Sequence, residues 1–181
     1  GDMVVERLKQ EGVYPTYIIQ QPATTSNYST IISYSGERTI FVYHAPRSYE
    51  FPVQLPIVPW VYLTSMGESF RPFYNHFVEW LKNNPTVKLA FNPGSWQIRA
   101  EYKDISDVMS LTYLVSVNRE EAEKLTNFGE SEGKERDLLI ALNKLGPKIC
   151  LITDGARGAM AYDFINGKFY KVGIMLLEAY E

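Results

Sequence analysis

Four short runs of apolar and β-branched residues, 60–65, 86–91, 113–117 and 148–153, punctuate the chain beyond its first third. Such runs suit buried strands. Between them the apolar positions recur at three and four residues, the spacing of a helix with one inward face. Residues 70–83 carry Phe73, Phe77, Trp80 and Leu81 at i, i+4, i+7 and i+8, with Pro85 as a stop. Residues 134–145 place Leu138, Leu139, Leu142 and Leu145 inward and end at Gly146-Pro147. A less pronounced helix spans 104–110, and Ala122 and Leu125 mark the first turns of another. Strands alternating with amphipathic helices predict an α/β domain: a mostly parallel sheet covered on both faces, a three-layer α/β/α sandwich.

The first third reads differently. Residues 3–11 form a helix with Val4, Val5 and Leu8 on one face, closed by Gly12. A turn at Tyr14-Pro15 leads into a short strand over 17–19. Residues 29–34 and 38–43 are the arms of a hairpin about Ser35-Gly36-Glu37, mixing Thr, Tyr and Ser with Ile and Val. That mixture predicts an antiparallel ribbon with one apolar and one wetter face. Pro46, Pro52, Pro56 and Pro59 mark an irregular passage into the first buried strand. At the other end, 160–164, an Asn166-Gly167 turn and 168–172 form a closing hairpin.

Composition narrows this reading without redirecting it. The 181 residues suit one domain, 1–181, and 45% apolar against 22% charged residues is a globular balance. The net charge of −3 gives no long-range pull on a polyanion, so neither nucleic acid nor an anionic membrane surface is expected as a partner. The single cysteine, Cys150, lies inside the run Ile149-Cys150-Leu151-Ile152, where an inert buried thiol is expected. With no internal disulfide, no apolar membrane-spanning segment and no leader pattern, the expected location is cytoplasmic. His76 falls on the solvent side of its helix, and no zinc-type Cys/His spacing is present.

Candidate chemistry gathers at strand ends. The run 113–125 switches period at Asn118, with Glu121 three residues on. This is a helix start in which the Asn side chain accepts from an early amide and the Glu reaches back to the cap. It is also a polar group at the carboxyl end of a parallel strand, where open α/β sheets bind ligands. Both readings stand together. Asn92, in Asn92-Pro93-Gly94-Ser95, is a turn residue or a ligand contact. Thr153 empties into Asp154-Gly155-Ala156-Arg157-Gly158-Ala159, where Gly155 and Gly158 permit a tight turn or close approach to a ligand. A parallel sheet brings all of these to one edge.

Asn118-Arg119-Glu120-Glu121 resembles the N-x-x-E segment of the PfkB, or ribokinase-like, carbohydrate kinases. The stretch from Thr153 to Ala159 resembles their nucleotide-binding strand and loop. Gly36-Glu37-Arg38-Thr39-Ile40 is similar to an arm of their β lid, and Asn92-Pro93-Gly94 to a segment facing the phosphates. These occur in the family's order over nearly the whole chain. The resemblance implies ATP-dependent phosphorylation of a hydroxymethyl group on a sugar, nucleoside or related small molecule, with Mg²⁺ bridging phosphates. It implies that Asn118 and Glu121 serve the phosphate and metal region, Glu121 through water. Asn92, Thr153, Asp154, Gly155 and Gly158 would contact the nucleotide, and Tyr28 and Ser29 the sugar.

The chain also departs from the family. The glycine-rich sugar-binding segment and the G-A-G-D segment that supplies the anion hole and catalytic base have no counterpart, so no catalytic residue is assigned and an inactive fragment is expected. The alternative is a non-catalytic remnant that binds nucleotide or a partner. A G-A-G-D motif in the downstream coding sequence separates the two. Self-association through the ribbon and bare sheet edges is expected in either case.

Overall fold

A computed structural model of the protein describes residues 1–22, 24–34, 37–52 and 54–174. Two compact units result, one formed by Gly1–Ser48 with Pro52–Gln54 and the other by Tyr49–Phe51 with Leu55–Glu181.

The first unit contains helix α1 (Asp2–Gln10) and the antiparallel strands β1 (Tyr28–Tyr34) and β2 (Glu37–Tyr43). Register pairs Tyr28 with Tyr43, Thr30 with Phe41 and Ile32 with Thr39 on one face, and Ile31 with Ile40 on the other. The Tyr28 and Tyr43 rings stack at 5.1 Å. Every described residue of β1 is exposed, and α1 has no buried residue. The strand expected over 17–19 does not form. The Ile18 amide instead closes a turn on the Pro15 carbonyl, 2.9 Å, and no described strand pairs with this segment.

In the second unit the strands β3 (Trp60–Leu63), β4 (Lys88–Phe91), β5 (Thr112–Asn118), β6 (Ile149–Thr153), β7 (Ala159–Asp163) and β8 (Lys168–Val172) form one sheet in that order. β3 to β6 run parallel and β7 and β8 antiparallel. The helices are α2 (Arg71–Asn83), α3 (Ser95–Arg99), α4 (Ser106–Leu111), α5 (Arg119–Thr126) and α6 (Glu135–Asn143). Because each parallel strand is added beside the last in one direction, right-handed crossovers put the connecting helices on the same face. The core agrees: Leu63, Leu89, Phe91, Val115, Val117, Cys150 and Ile152 from one sheet face meet Tyr74, Phe77, Leu81, Met109, Ala122, Leu139 and Leu142. On the opposite face, Trp60, Tyr62, Tyr170 and Val172 are exposed.

Two expectations shift in detail. The strand over 60–65 was expected to be buried, but β3 lies at the edge of the sheet and only Leu63 is fully covered. On α2 the buried stripe is Tyr74, Phe77, Val78 and Leu81, one residue round from the expected face. Phe73 and Trp80 flank it, their rings 5.4 and 6.4 Å from Phe51. His76 is exposed, as expected. Cys150 is fully buried, and burial pushes its thiol up to about 12. Among the described residues, no helix is long and apolar enough to cross a membrane.

Candidate functional site

The parallel strands β5 and β6 end level with each other, at Asn118 and Thr153, and β4 ends beside them at Phe91, opposite Val115. Asn118 is the register partner of Thr153. The Asn92 side chain, one residue past β4, donates through Nδ2 to the Ser116 carbonyl at 2.6 Å. Two strand spacings separate β4 from β6, about 10 Å. Asn92, Asn118 and Thr153 therefore share the carboxyl edge of the sheet.

Each polar residue at this edge also has a local task. Asn118 caps α5: its Oδ1 accepts from the Glu121 amide at 2.8 Å, and Glu121 Oε2 accepts from the Asn118 amide at 2.9 Å. This reciprocal pair closes two orphan donors of the helix end. It leaves Asn118 Nδ2 and Glu121 Oε1 without a bond among those of the described residues. Glu120 and Glu121 in the first turn make this helix start acidic, which disfavours a bare phosphate and favours one accompanied by a cation. Among the described residues, no group of three or more His, Cys, Asp and Glu is arranged to hold a metal. A Mg²⁺ ion needs no such cage, because one carboxylate with waters and phosphates suffices. Glu121 fits that requirement.

The loop after β6 is built on Asp154. Its amide donates to the Gly158 carbonyl at 2.8 Å, and its carbonyl accepts from the Arg157 amide at 2.9 Å, closing a turn of one 3₁₀ helix (Gly155–Arg157). Gly155 has φ +50°, and a Cβ there would meet nothing within 4 Å, so its backbone faces open space. Gly158 differs. A Cβ there would lie 2.0 Å from the Val172 carbonyl, so its missing side chain admits strand β8. The sequence allowed Gly158 a tight turn or close approach to a ligand, and the packing against β8 accounts for the bare Cα.

The carboxylate of Asp154, expected among the nucleotide contacts, receives Arg119 Nη2 at 2.5 Å, with Arg157 Nε at 2.8 Å and Nη2 at 3.0 Å. The Arg119 guanidinium, then that of Arg157, holds this carboxyl far below the usual range. Arg119 also donates to Ser131 Oγ at 2.9 Å and Glu135 Oε1 at 3.2 Å. Asp154 in turn raises the Arg119 guanidinium. Sequence reading missed Arg119, because one arginine in the first turn of an acidic helix is indistinguishable from a solvated charge.

Gln97 was missed as well. It is fully buried, with Oε1 accepting from the Gly94 amide at 3.0 Å and the Met66 amide at 3.3 Å, and Nε2 donating to the Met66 carbonyl at 3.1 Å. It ties the loop after β3 to the loop after β4. Gly94 must be bare, since a Cβ would fall 1.9 Å from Ser65 Oγ. The short α3 was invisible to periodicity because its 5 residues do not complete two turns.

Solved structures share this fold. The ribokinase from Giardia lamblia superposes with a TM-score of 0.73 at 19% identity, over 96% of this chain and 55% of that one. The ribokinase from Cryptococcus neoformans var. grubii serotype A in complex with ADP gives 0.72 at 17%, over 98% and 60%. The aminoimidazole riboside kinase from Salmonella enterica, complexed with aminoimidazole riboside and an ATP analog, gives 0.69 at 20%, over 98% and 60%. At these identities the likeness is one of fold, and the chain spans 55–60% of the length of these three structures. No curated protein matches the chain. Residues 1–175 match the pfkB family carbohydrate kinases, and the chain therefore belongs to that family.

Proposed function

We propose that this chain carries the nucleotide and metal edge of an ATP-dependent kinase acting on a hydroxymethyl group of a sugar or nucleoside. The carrying observation is the register pairing of Asn118 with Thr153, which sets the capped start of α5 beside the loop 154–158. Kinases with this fold were solved with ADP, an ATP analog, aminoimidazole riboside and inosine, which supports both halves of the reading. Asn118 Nδ2 and Thr153 Oγ1 would meet phosphate oxygens, Glu121 would hold Mg²⁺, and the Gly155 backbone would lie against the nucleotide. The ion would supply positive charge against the phosphates. Asn92, bonded to Ser116, keeps two strand ends together beneath the phosphates.

By themselves these residues do not turn over an acceptor. Phosphoryl transfer relies on positioning and electrostatics, with a base to orient the attacking hydroxyl. Asp154 is committed to two arginines, and Asp163 pairs in register with Ile149, at the opposite end of β6. A cytoplasmic home accords with ATP as a substrate and with one buried cysteine. The exposed ribbon is proposed to pair with a second copy.

The test combines MgATP binding by calorimetry with an ADP-release assay across pentoses, hexoses and nucleosides. Binding weakened by Asn118→Ala and Glu121→Gln, without acceptor-dependent ADP release, is the expected result. Failure to bind any nucleotide overturns the nucleotide reading. Acceptor-dependent release that Asn118→Ala abolishes would instead reveal a base within this chain.

A further inference from the structure

Arg119 is the first residue of α5, directly after Asn118, yet its side chain turns inward and is only 10% exposed. It meets groups from three places. Ser131 Oγ belongs to the segment between α5 and α6, Glu135 opens α6, and Asp154 opens the loop after β6. Its two nearest anchors are themselves held. Ser131 is fully buried, and its amide and hydroxyl donate to Glu123 Oε1 at 3.0 and 2.5 Å. The Asp154 side chain is 6% exposed and is clasped on both oxygens by Arg157.

Such an arrangement is a poor way to gain stability. Desolvating a guanidinium and a carboxylate costs several kcal/mol per ion, and apolar residues of similar volume do as well or better. What the ion pair adds is direction, because a planar guanidinium fixes its partner's orientation as well as its distance. The fixed partner, Asp154, closes loop 154–158 through both its amide and its carbonyl. The fixing group is rooted beside the Asn118–Glu121 cap.

We propose that Arg119 is a positioning residue: by clamping Asp154 it sets loop 154–158 relative to the start of α5, so that the two halves of the edge move as one body. The proposal rests on reading that edge as a nucleotide site. Glu135 serves as the control, since it contacts the same guanidinium but not the loop.

Hydrogen exchange of the amides of 154–158 and MgADP affinity are to be measured on the same proteins. Arg119→Met is expected to speed loop exchange and weaken MgADP, each by about 10- to 100-fold. Asp154→Asn, which preserves shape should Arg119→Met fold poorly, is expected to do the same, and Arg119→Lys to fall between, because an ammonium cannot reproduce the fork. Glu135→Gln is expected to lower stability while leaving both readouts within about 2-fold of the unaltered protein. Unchanged loop exchange in Arg119→Met and Asp154→Asn, or equal changes in Glu135→Gln, overturns the proposal. If the unaltered protein binds no MgADP, the nucleotide reading falls while loop exchange still decides the clamp.

Discussion

Strands β1 and β5 each contain 7 residues, and both are rich in β-branched and aromatic side chains. Their fates are opposite. In β5, Val115 is 0% and Val117 2% exposed, inside the core that the helices cover; in β1, Ile31 is 59% and Ile32 55% exposed. Propensity makes both into strands, but only a covering layer turns apolar residues into stabilising ones. The second unit has that layer on one sheet face. The ribbon is two strands wide, and a lone two-stranded hairpin is at best marginal in water.

The largest test of this contrast strikes the buried ion cluster. Arg119→Ala removes one partner of a buried pair and leaves Asp154 and Glu135 under-compensated, so a loss of about 3–5 kcal/mol is expected by urea unfolding. A loss below about 1 kcal/mol would mean that water already reaches the cluster.

Leu142→Ala and Ile32→Ala sharpen it further. The first empties a fully buried position on α6, with an expected loss of about 2–5 kcal/mol, and the second about 0.5 kcal/mol or less in a monomer. If the ribbon pairs with a second copy, Ile32→Ala shifts the monomer–dimer balance in sedimentation, and the Ile32 effect becomes dependent on protein concentration.

Acid probes the same cluster. The Asp154 carboxyl is depressed by Arg119 and Arg157, so its contribution is full above its unfolded value of about 3.9 and is lost as pH falls toward the lower folded value. Unfolding curves at successive pH values below about 4 are expected to converge for the unaltered protein and Asp154→Asn. The smallest effect is local: Asn118→Ala deletes one half of the α5 cap and is expected to cost about 1 kcal/mol, read as a lowered Tm. A larger cost would show that the cap also holds the β5–β6 edge together.

Much of this was legible in the chain. The four runs became β3, β4, β5 and β6, and the amphipathic stretches became α2, α4 and α6, because a period of two or of 3.6 residues is imposed by local geometry. The Asn118–Glu121 cap was legible for the same reason, since its three-residue spacing is a property of one helical turn. Strand-end placement likewise brought Asn118 and Thr153 to one edge. What was not legible depends on partners distant in sequence. That Trp60 lies on an edge strand, that Gly158 is bare to admit β8, that Gln97 staples two loops and that Asp154 faces Arg119 across 35 positions are decided by packing. A local pattern records which conformation a segment prefers. It does not record which distant atom will occupy the space beside a side chain, and that alone decides whether a charge is solvated or clamped.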